Sequence, residues 1–282
     1  MSDTEKNAAD VEAERLAHKA SGDAMMASAK EGLKTIVGAV LIALVLRSFL
    51  FEPFNIPSES MLPRLLVGDY LFVSKWPYGY SRHSFPLSPP VFDGRVGGGT
   101  PERGDVAVFK DPRDNSTDFI KRVIGLPGDI VQMRGGVLYL NGEAVRKERI
   151  DDFVAPTGPY MQCLTGEVFT ADDGSSQCRY MRFRETLPGG RSYEVLDTAL
   201  GSRGDDTAPF VVPEGHYFMM GDNRDNSADS RFTYTEGVGF VPMENFVGRA
   251  QIMFFSTDGS ASWLLPWTWL TAARWERIGR TF

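Results

Sequence analysis

Two serines, Ser58 and Ser60, stand two residues apart in the segment IPSESMLP, residues 56–63. Pro57 and Pro63 disfavour a regular helix here. Alternate residues of an extended chain point to the same side, so both hydroxyls can face one small volume. Such a pair suits nucleophilic catalysis, but serine and proline are also ordinary turn residues. The choice between an active site and a surface turn depends on the rest of the chain.

Two further segments carry residue types that chemistry needs. DFIKRVIGLPGD, residues 118–129, places Lys121 inside an apolar strand. A lysine in such a strand ordinarily points to solvent, whereas a desolvated lysine has a lowered pKa and can act as a base. GDNRDNSADSR, residues 221–231, is a polar run that directly follows the apolar HYFMM. It is not an EF-hand, because no register supplies both the central glycine and the closing glutamate.

Together the three segments resemble the sequence boxes of bacterial type I signal (leader) peptidase, in the family's usual order. IPSESM resembles the nucleophile box, KRVIGLPGD the lysine box and GDNRDNSADSR the third box, and the resemblance covers roughly residues 51–255. The chain departs from the family at Glu59, where the Gram-negative pattern often has glycine. Regions 81–104 and 151–210 match poorly, and the chain carries one apolar anchor rather than two.

The resemblance implies a Ser-Lys peptidase that uses no metal and no cofactor. Ser60 is then the nucleophile and Lys121 the general base. The Ser58 hydroxyl, with the backbone N–H of the nucleophile, forms the oxyanion hole, and Ser227 orients the lysine. A structural ion pair beneath the site is expected between Asp229 and Arg231.

The substrates that the resemblance implies are the signal peptides of secreted preproteins, cleaved after small residues in an Ala-x-Ala pattern. An extended substrate would add as a strand along the segment that begins at Asp118. The residues expected to contact the substrate are Phe54, Ile56, Met61, Leu65, Asp118, Phe119 and Ile120.

Two other interpretations compete with a signal peptidase. A self-cleaving Ser-Lys protein similar to LexA would carry an N-terminal helix-turn-helix, and residues 1–54 show none. A non-catalytic, membrane-tethered β domain would explain the anchor and the strands, but it has no use for a desolvated lysine beside Ser60.

Composition supports a globular, β-rich chain and excludes one class of partner. Of 282 residues, 42% are hydrophobic and 24% are charged, and 29 glycines and 17 prolines often occupy turn-like positions. The net charge of −7 argues against a nucleic-acid partner. With three histidines in the chain, histidine-based catalysis is disfavoured.

The N-terminal region predicts a membrane anchor. Residues 1–32 form a polar tail, and residues 33–54 form an apolar segment that reaches the roughly 20 residues of a spanning helix if Arg47 snorkels. A buried core helix is the alternative. No small-x-small site ends the segment, so the anchor is not cleaved. Lys30 and Lys34 flank its N-terminal side, which predicts a single-pass protein of the bacterial inner membrane with a cytoplasmic N-terminus and a periplasmic body.

The remaining chain is predicted to be mainly antiparallel β, in the manner of a signal peptidase catalytic domain. Strands are expected within 69–76, 105–110, 118–126, 216–222 and 249–256, and Asn141-Gly142 predicts a hairpin. Residues 55–150 and 211–282 form the catalytic core, and residues 151–210 form a β-rich insertion with a hairpin at Gly189 and Gly190. The Trp-rich segment 262–282 either caps the sheet or, through its tryptophans, Arg277 and Arg280, contacts membrane lipid.

The two cysteines, Cys163 and Cys178, show no zinc-ligand spacing. In an exported body they would lie in an oxidising compartment. We therefore expect a disulfide between them.

Overall fold

A computed structural model describes residues 3–90, 92–199, 201–262 and 264–282. The chain forms two compact units, Met1–Leu46 and Arg47–Phe282. We describe each unit by itself.

Helix α1 spans Asp3–Phe49 and accounts for the first unit. Its segment Met25–Phe49 has a mean hydropathy of 1.8 and is 6% buried, so its length and composition suffice to cross a membrane. The helix begins well before the predicted anchor because the tail is rich in alanine, glutamate and lysine, which are strong helix formers.

The predicted end of the anchor at Phe54 needs correction. The helix ends at Phe49, and residues Phe51–Asn55 form a strand of the second unit. Pro53 explains the break, because proline removes a helical hydrogen bond and disfavours helix at the residue before it.

The second unit contains seventeen strands and one short helix. The strands are β1 (Phe51–Asn55), β2 (Asp69–Ser74), β3 (Tyr80–Ser81), β4 (Arg95–Val96), β5 (Val106–Lys110), β6 (Asp118–Gly125), β7 (Ile130–Arg134), β8 (Val137–Leu140), β9 (Glu143–Ala144), β10 (Arg146–Pro156), β11 (Glu167–Thr170), β12 (Ser176–Thr186), β13 (Ser192–Leu196), β14 (Phe210–Val211), β15 (His216–Met220), β16 (Val241–Pro242) and β17 (Phe246–Ser256), as counted over the described residues. Helix α2 spans Thr268–Ala272, and single 3-10 turns occupy Glu59–Met61, Arg82–Ser84, Met243–Asn245 and Trp275–Arg277.

The principal sheet has seven strands in the order β1-β2-β17-β5-β6-β15-β16. Every strand pair in it is antiparallel, which confirms the mainly β fold class. The strands predicted for this sheet from short apolar runs are all present. β6 pairs with β5 along its whole first part, so that Lys121 lies opposite Ala107.

A second sheet belongs to the predicted β-rich insertion and begins slightly before it, at Arg146. β12 lies in its centre between β10 and β11 and also pairs with β13. The predicted hairpin joins β12 to β13, and Gly189 and Gly190 both take positive φ, which glycine tolerates best. Cys163 and Cys178 form a disulfide here, with Cα atoms 5.6 Å apart.

The third sheet, β14-β7-β8-β9, contains the predicted Asn-Gly hairpin. Asn141 and Gly142 have φ of 54° and 87°, the left-handed pair that a tight hairpin turn between β8 and β9 requires.

The C-terminal segment is attached to the principal sheet by two isolated bridges, from Ile252 of β17 to Thr281 and from Thr257, directly after β17, to Ala273. Arg277 is buried and pairs with Asp69 at 2.6 Å, so this arginine does not face lipid. Trp267 and Trp275 are exposed on the surface. Trp263, which the same prediction included, lies outside the described residues.

The nucleophile segment is held between two hydrophobic clusters. Met61 packs in the cluster of the principal sheet, with Ile56 and Leu65. Its neighbour Leu62 packs instead against the insertion, in the cluster that contains Tyr180. Full burial of one such side chain contributes about 1.5–3 kcal/mol, so the segment is fixed from both sides.

Candidate active site

The segment around Ser60 is extended up to Ser58 and then turns through a 3-10 helix at Glu59–Met61. Ser58 has φ −141° and ψ 161°, which is extended geometry. The two hydroxyls point into one volume, with the Oγ atoms 3.3 Å apart. Ser60 is almost buried, with 6% of its surface exposed.

Lys121 faces Ser60 rather than solvent. Its Nζ lies 2.7 Å from Ser60 Oγ and donates a second hydrogen bond to the carbonyl of Ile120 at 3.1 Å. The side chain is 3% exposed. β6 therefore directs this lysine to the interior, where its amine is in hydrogen-bond contact with the Ser60 hydroxyl, as a base and a nucleophile would need to be.

Burial lowers the pKa of Lys121 to about 8. The carboxylates of Asp229 and Asp222 act in the opposite direction, because negative charge favours the ammonium form, while Arg231 lowers the pKa further. The ring of Phe119, 5.4 Å from Nζ, forms part of the apolar surroundings. A substantial fraction of the lysine is consequently neutral near pH 8, as a general base must be.

The hydrogen bond that was expected between Ser227 and Lys121 is not formed in this structure. Its Oγ is buried and has no hydrogen-bond partner among the residues that the structure describes. Two donors of the lysine are already directed elsewhere, to Ser60 and to the Ile120 carbonyl. The serine nevertheless lies beside the nucleophile: a Cβ on Gly221 would come within 2.2 Å of Ser227 Oγ and 2.6 Å of the Ser60 carbonyl oxygen. Only glycine fits between them.

Asp229 and Arg231 form the expected ion pair, and both side chains are completely buried. Arg231 Nε donates to Asp229 Oδ1 at 2.9 Å and its terminal nitrogen to Oδ2 at 3.0 Å. Asp229 also accepts the backbone N–H of Gly221 at 3.0 Å. Burial alone would raise the pKa of Asp229, but Arg231 and these N–H groups hold it below its usual value. Through the bond to Gly221, the ion pair holds the end of the segment 221–231 against its beginning.

Asn223 holds the backbone around Ser60, and the sequence analysis missed this contact. Its backbone N–H donates to the Ser60 carbonyl at 3.0 Å, and its side-chain amide donates to the Glu59 carbonyl at 3.1 Å. The residue is completely buried. The sequence indicates only that Asn223 lies in a polar run directly after an apolar strand. It does not indicate which groups this asparagine bonds.

Glu59 links the Ser60 segment to the insertion. The sequence analysis did not predict this link. The side chain is 5% exposed. One carboxylate oxygen accepts the backbone N–H of Gln162 at 2.7 Å, and the other accepts the Tyr180 hydroxyl at 3.2 Å. Glu59, which departs from the family pattern, thus connects the Ser60 segment to the insertion by two hydrogen bonds.

The residues expected to contact the substrate divide into two groups. Ile56, Met61, Leu65 and Ile120 are buried together, and Phe54 packs against them. Asp118 and Phe119 lie at the more exposed start of β6, where Asp118 pairs with Lys110 at 2.9 Å.

One edge of β6 is open beside the nucleophile. β15 pairs only with the stretch from Arg122 to Gly125, and in the described part of the chain no strand pairs with Asp118–Lys121 on that side. The open edge offers backbone groups to an added strand.

A cleft of about 190 Å³ borders the two serines. The core contributes Pro57, Ser58 and Ser60, and the insertion contributes its loop 159–164 with Tyr160 and Leu164. The insertion, for which the sequence predicted no site residue, therefore forms one wall of the cleft.

Carboxylates that could suggest a metal lie elsewhere. One oxygen from each of Asp197, Asp205 and Asp225 lies within 4.8 Å of the others. Lys147 pairs with Asp197, and the other two aspartates accept backbone N–H groups from Thr198, Ala199, Gly201 and Ser202. The cluster thus already serves to hold this loop.

A serine hydroxyl against a buried lysine, on an antiparallel β body, is the arrangement that serine hydrolases with a lysine base use. The family model "Signal peptidase, peptidase S26" matches residues 29–255. The chain is 39% identical over 236 residues to a signal peptidase I of Rickettsia typhi and 37% identical over 238 residues to that of Rickettsia conorii. These alignments cover 81% and 82% of this chain, and 81% of each relative.

Among solved structures, a signal peptidase I from Enterococcus faecalis matches with 28% identity and a TM-score of 0.28, over 54% of this chain and 97% of that one. The chain belongs to the signal peptidase family, peptidase S26, and is a serine endopeptidase.

Proposed function

We propose that this chain removes N-terminal signal peptides from exported preproteins, and that Ser60 and Lys121 form its catalytic dyad. The observation that carries the proposal is the 2.7 Å contact between Lys121 Nζ and Ser60 Oγ, with a lysine whose pKa is lowered to about 8. Membership of the signal peptidase family and relatives named signal peptidase I support the substrate class.

The reaction begins when neutral Lys121 accepts the Ser60 proton while Oγ attacks the scissile carbonyl. The carbonyl oxygen becomes negative, and the Ser58 hydroxyl with the Ser60 N–H stabilises it. The lysine ammonium then gives its proton to the leaving amine, which departs as the new N-terminus of the mature protein. Lys121 next takes a proton from water, which hydrolyses the acyl-enzyme and releases the signal peptide.

Ser227 would orient the lysine in this cycle. A rotation of its hydroxyl toward Lys121 would give Ser227 Oγ the partner that it lacks among the described residues. Because burial of an unpaired hydroxyl is costly, such a bond is favourable whenever it forms.

Substrate binding uses the open edge of β6. The signal peptide adds as a strand beside Asp118–Lys121, which brings its carbonyl toward Ser60. The apolar group of Phe54, Ile56 and Ile120 gives shallow pockets that accept small residues, so we infer cleavage after small-x-small sites such as Ala-x-Ala.

The apolar helix would anchor the protein once in the inner membrane, with the N-terminus in the cytoplasm and the second unit on the periplasmic side. Lys30 and Lys34 precede the apolar stretch, in keeping with the preference of basic residues for the cytoplasmic side. The disulfide between Cys163 and Cys178 suits an oxidising compartment. Signal peptides and membrane lipid are the proposed partners.

The decisive test is cleavage of a purified preprotein that carries an Ala-x-Ala site by the full-length protein in detergent. N-terminal sequencing of the product should begin directly after the second alanine. Ser60→Ala and Lys121→Ala should give no product, while Lys110→Ala, which removes a lysine outside the dyad, should retain activity. An intact preprotein with wild-type enzyme, or product with Lys121→Ala at the wild-type rate, would contradict the proposal.

A further inference from the structure

A second cavity, of about 420 Å³, lies between the principal sheet and the insertion, and neither serine of the dyad segment nor Lys121 lines it. Its volume falls in the roughly 300–1,000 Å³ range of small-molecule sites. Arginine dominates the lining: Arg64, Arg122, Arg184, Arg191 and Arg249 all contribute. Five arginines around one cavity are notable in a chain whose net charge is −7.

Two carboxylates in the lining do not balance these charges. Asp105 lies 2.9 Å from Arg191 and 3.8 Å from Arg249, and Glu102, outside the lining, also pairs with Arg191 at 3.3 Å. The other, Glu194, pairs at 3.1 Å with Arg182, which does not line the cavity.

Of the remaining arginines, only one is neutralised locally. Arg122 is paired with Asp222 at 2.6 Å. Within the described ranges, Arg64 and Arg184 have no carboxylate within 4.0 Å. The cavity therefore holds surplus positive charge.

The surplus charge is also partly desolvated. Burial lowers the pKa of Arg64, and the positive charge of Arg122 lowers it further. Repulsion of this kind is relieved by an anion that bridges the cations. The ring of Phe282 lies under the Arg64 guanidinium, 5.5 Å away, and limits the directions in which it can turn.

We propose that this cavity binds a phosphate-bearing anion. A guanidinium group matches phosphate oxygens with two parallel N–H donors, and several arginines that converge on one volume select a ligand with more than one negative charge. The cavity exceeds what inorganic phosphate alone would fill, so a phosphate ester fits it. Free phosphate compounds and the headgroup of an anionic phospholipid share this chemistry.

The site is tested by isothermal titration of the full-length protein in detergent. One arm uses inorganic phosphate, and the other uses a soluble short-chain phosphatidylglycerol below its micellar concentration. We expect one saturable site whose affinity falls with added salt, since the contacts are ionic. Binding of the phosphate alone identifies a free phosphate compound as the ligand, and binding of the lipid alone identifies the headgroup.

The double variant Arg64→Gln, Arg184→Gln should weaken binding at least about tenfold, because it removes charge-assisted hydrogen bonds. The matched control is Arg146→Gln, Arg203→Gln, which removes the same charge from arginines that are 71% and 72% exposed. It should bind as the wild type does. If the double variant does not fold, Arg184→Gln serves alone, since Arg184 is on the surface of β12.

No saturable binding of either probe, or equal binding by the cavity and control variants, would overturn the proposal. Signal-peptide cleavage is measured in parallel. Because the cavity and the dyad share no lining residue, failure of the binding test leaves the proposed peptidase activity standing, and the reverse also holds.

Discussion

Replacement of Lys121 by methionine should abolish cleavage and at the same time stabilise the fold at neutral pH. Methionine has a similar length and no charge, so it fills the buried position but cannot accept a proton from Ser60. The stabilisation is expected because a buried ammonium group is costly, and Lys121 is 3% exposed.

The magnitude follows from the pKa of the lysine, which burial lowers from 10.5 to about 8 in the folded state. Each unit corresponds to about 1.4 kcal/mol, so the penalty on the charged form is about 3 kcal/mol. For a base with a lowered pKa, this penalty is fully present below about pH 8. It declines as the pH rises toward 10.5, where the unfolded chain also loses the proton.

The measurement is the free energy of unfolding of Lys121→Met and wild type in detergent, from pH 6 to pH 10. The stability difference should favour the variant by an amount that shrinks with rising pH, with a total change of about 3 kcal/mol. Lost hydrogen bonds to Ser60 and Ile120 move the difference by a constant and leave its pH dependence unchanged. A difference that does not vary with pH would refute a desolvated lysine at this position.

Three further predictions test other parts of the site. Ser58→Ala should lower kcat by roughly 10²–10³ with little change in KM, and Ser58→Thr should recover part of the rate; equal rates for Ser58→Ala and wild type would assign this serine to a turn. Glu59→Ala should lower the free energy of unfolding by about 1–3 kcal/mol, since it removes the partner of the buried Tyr180 hydroxyl and of the Gln162 N–H; chemical denaturation measures this, and Tyr180→Phe, the milder change, should cost less. Replacement of Cys163 and Cys178 by alanine should cost about 3 kcal/mol in the chain-entropy model while peptide cleavage persists; loss of cleavage in a folded variant would mean that the insertion does more than wall the cleft.

Local patterns determined much of what could be predicted. Short apolar runs bounded by glycine, proline and aspartate were sufficient for five of the seven strands of the principal sheet, β2, β5, β6, β15 and β17, because such a pattern is carried by one segment alone. The Asn141-Gly142 hairpin was predictable for the same reason, since the turn needs two residues that tolerate positive φ. Ser60 and Lys121 were found through segments whose composition is unusual for a surface turn or a solvent-facing strand.

Errors arose where the outcome depended on competition between neighbouring elements. The stretch from Phe51 to Phe54 is apolar enough for a membrane helix, but pairing with β2 and the presence of Pro53 made it a strand. The expected bond from Ser227 to Lys121 was likewise not predictable in detail, because two donors of the lysine are directed to other oxygens.

The sequence by itself determined that this protein is a β-rich member of the signal peptidase family with an apolar N-terminal segment, and it singled out Ser60 and Lys121 as the candidate dyad. Only the tertiary structure decided that hydrogen bonds from Asn223 and through Glu59 hold the segment around Ser60. It also decided that the insertion lines one side of the cleft. It also decided that arginines from distant parts of the chain surround one cavity. The physical reason is sequence separation: Glu59 and Tyr180 are joined by a contact between segments 121 residues apart, and no periodicity or motif encodes which distant backbone will supply a partner.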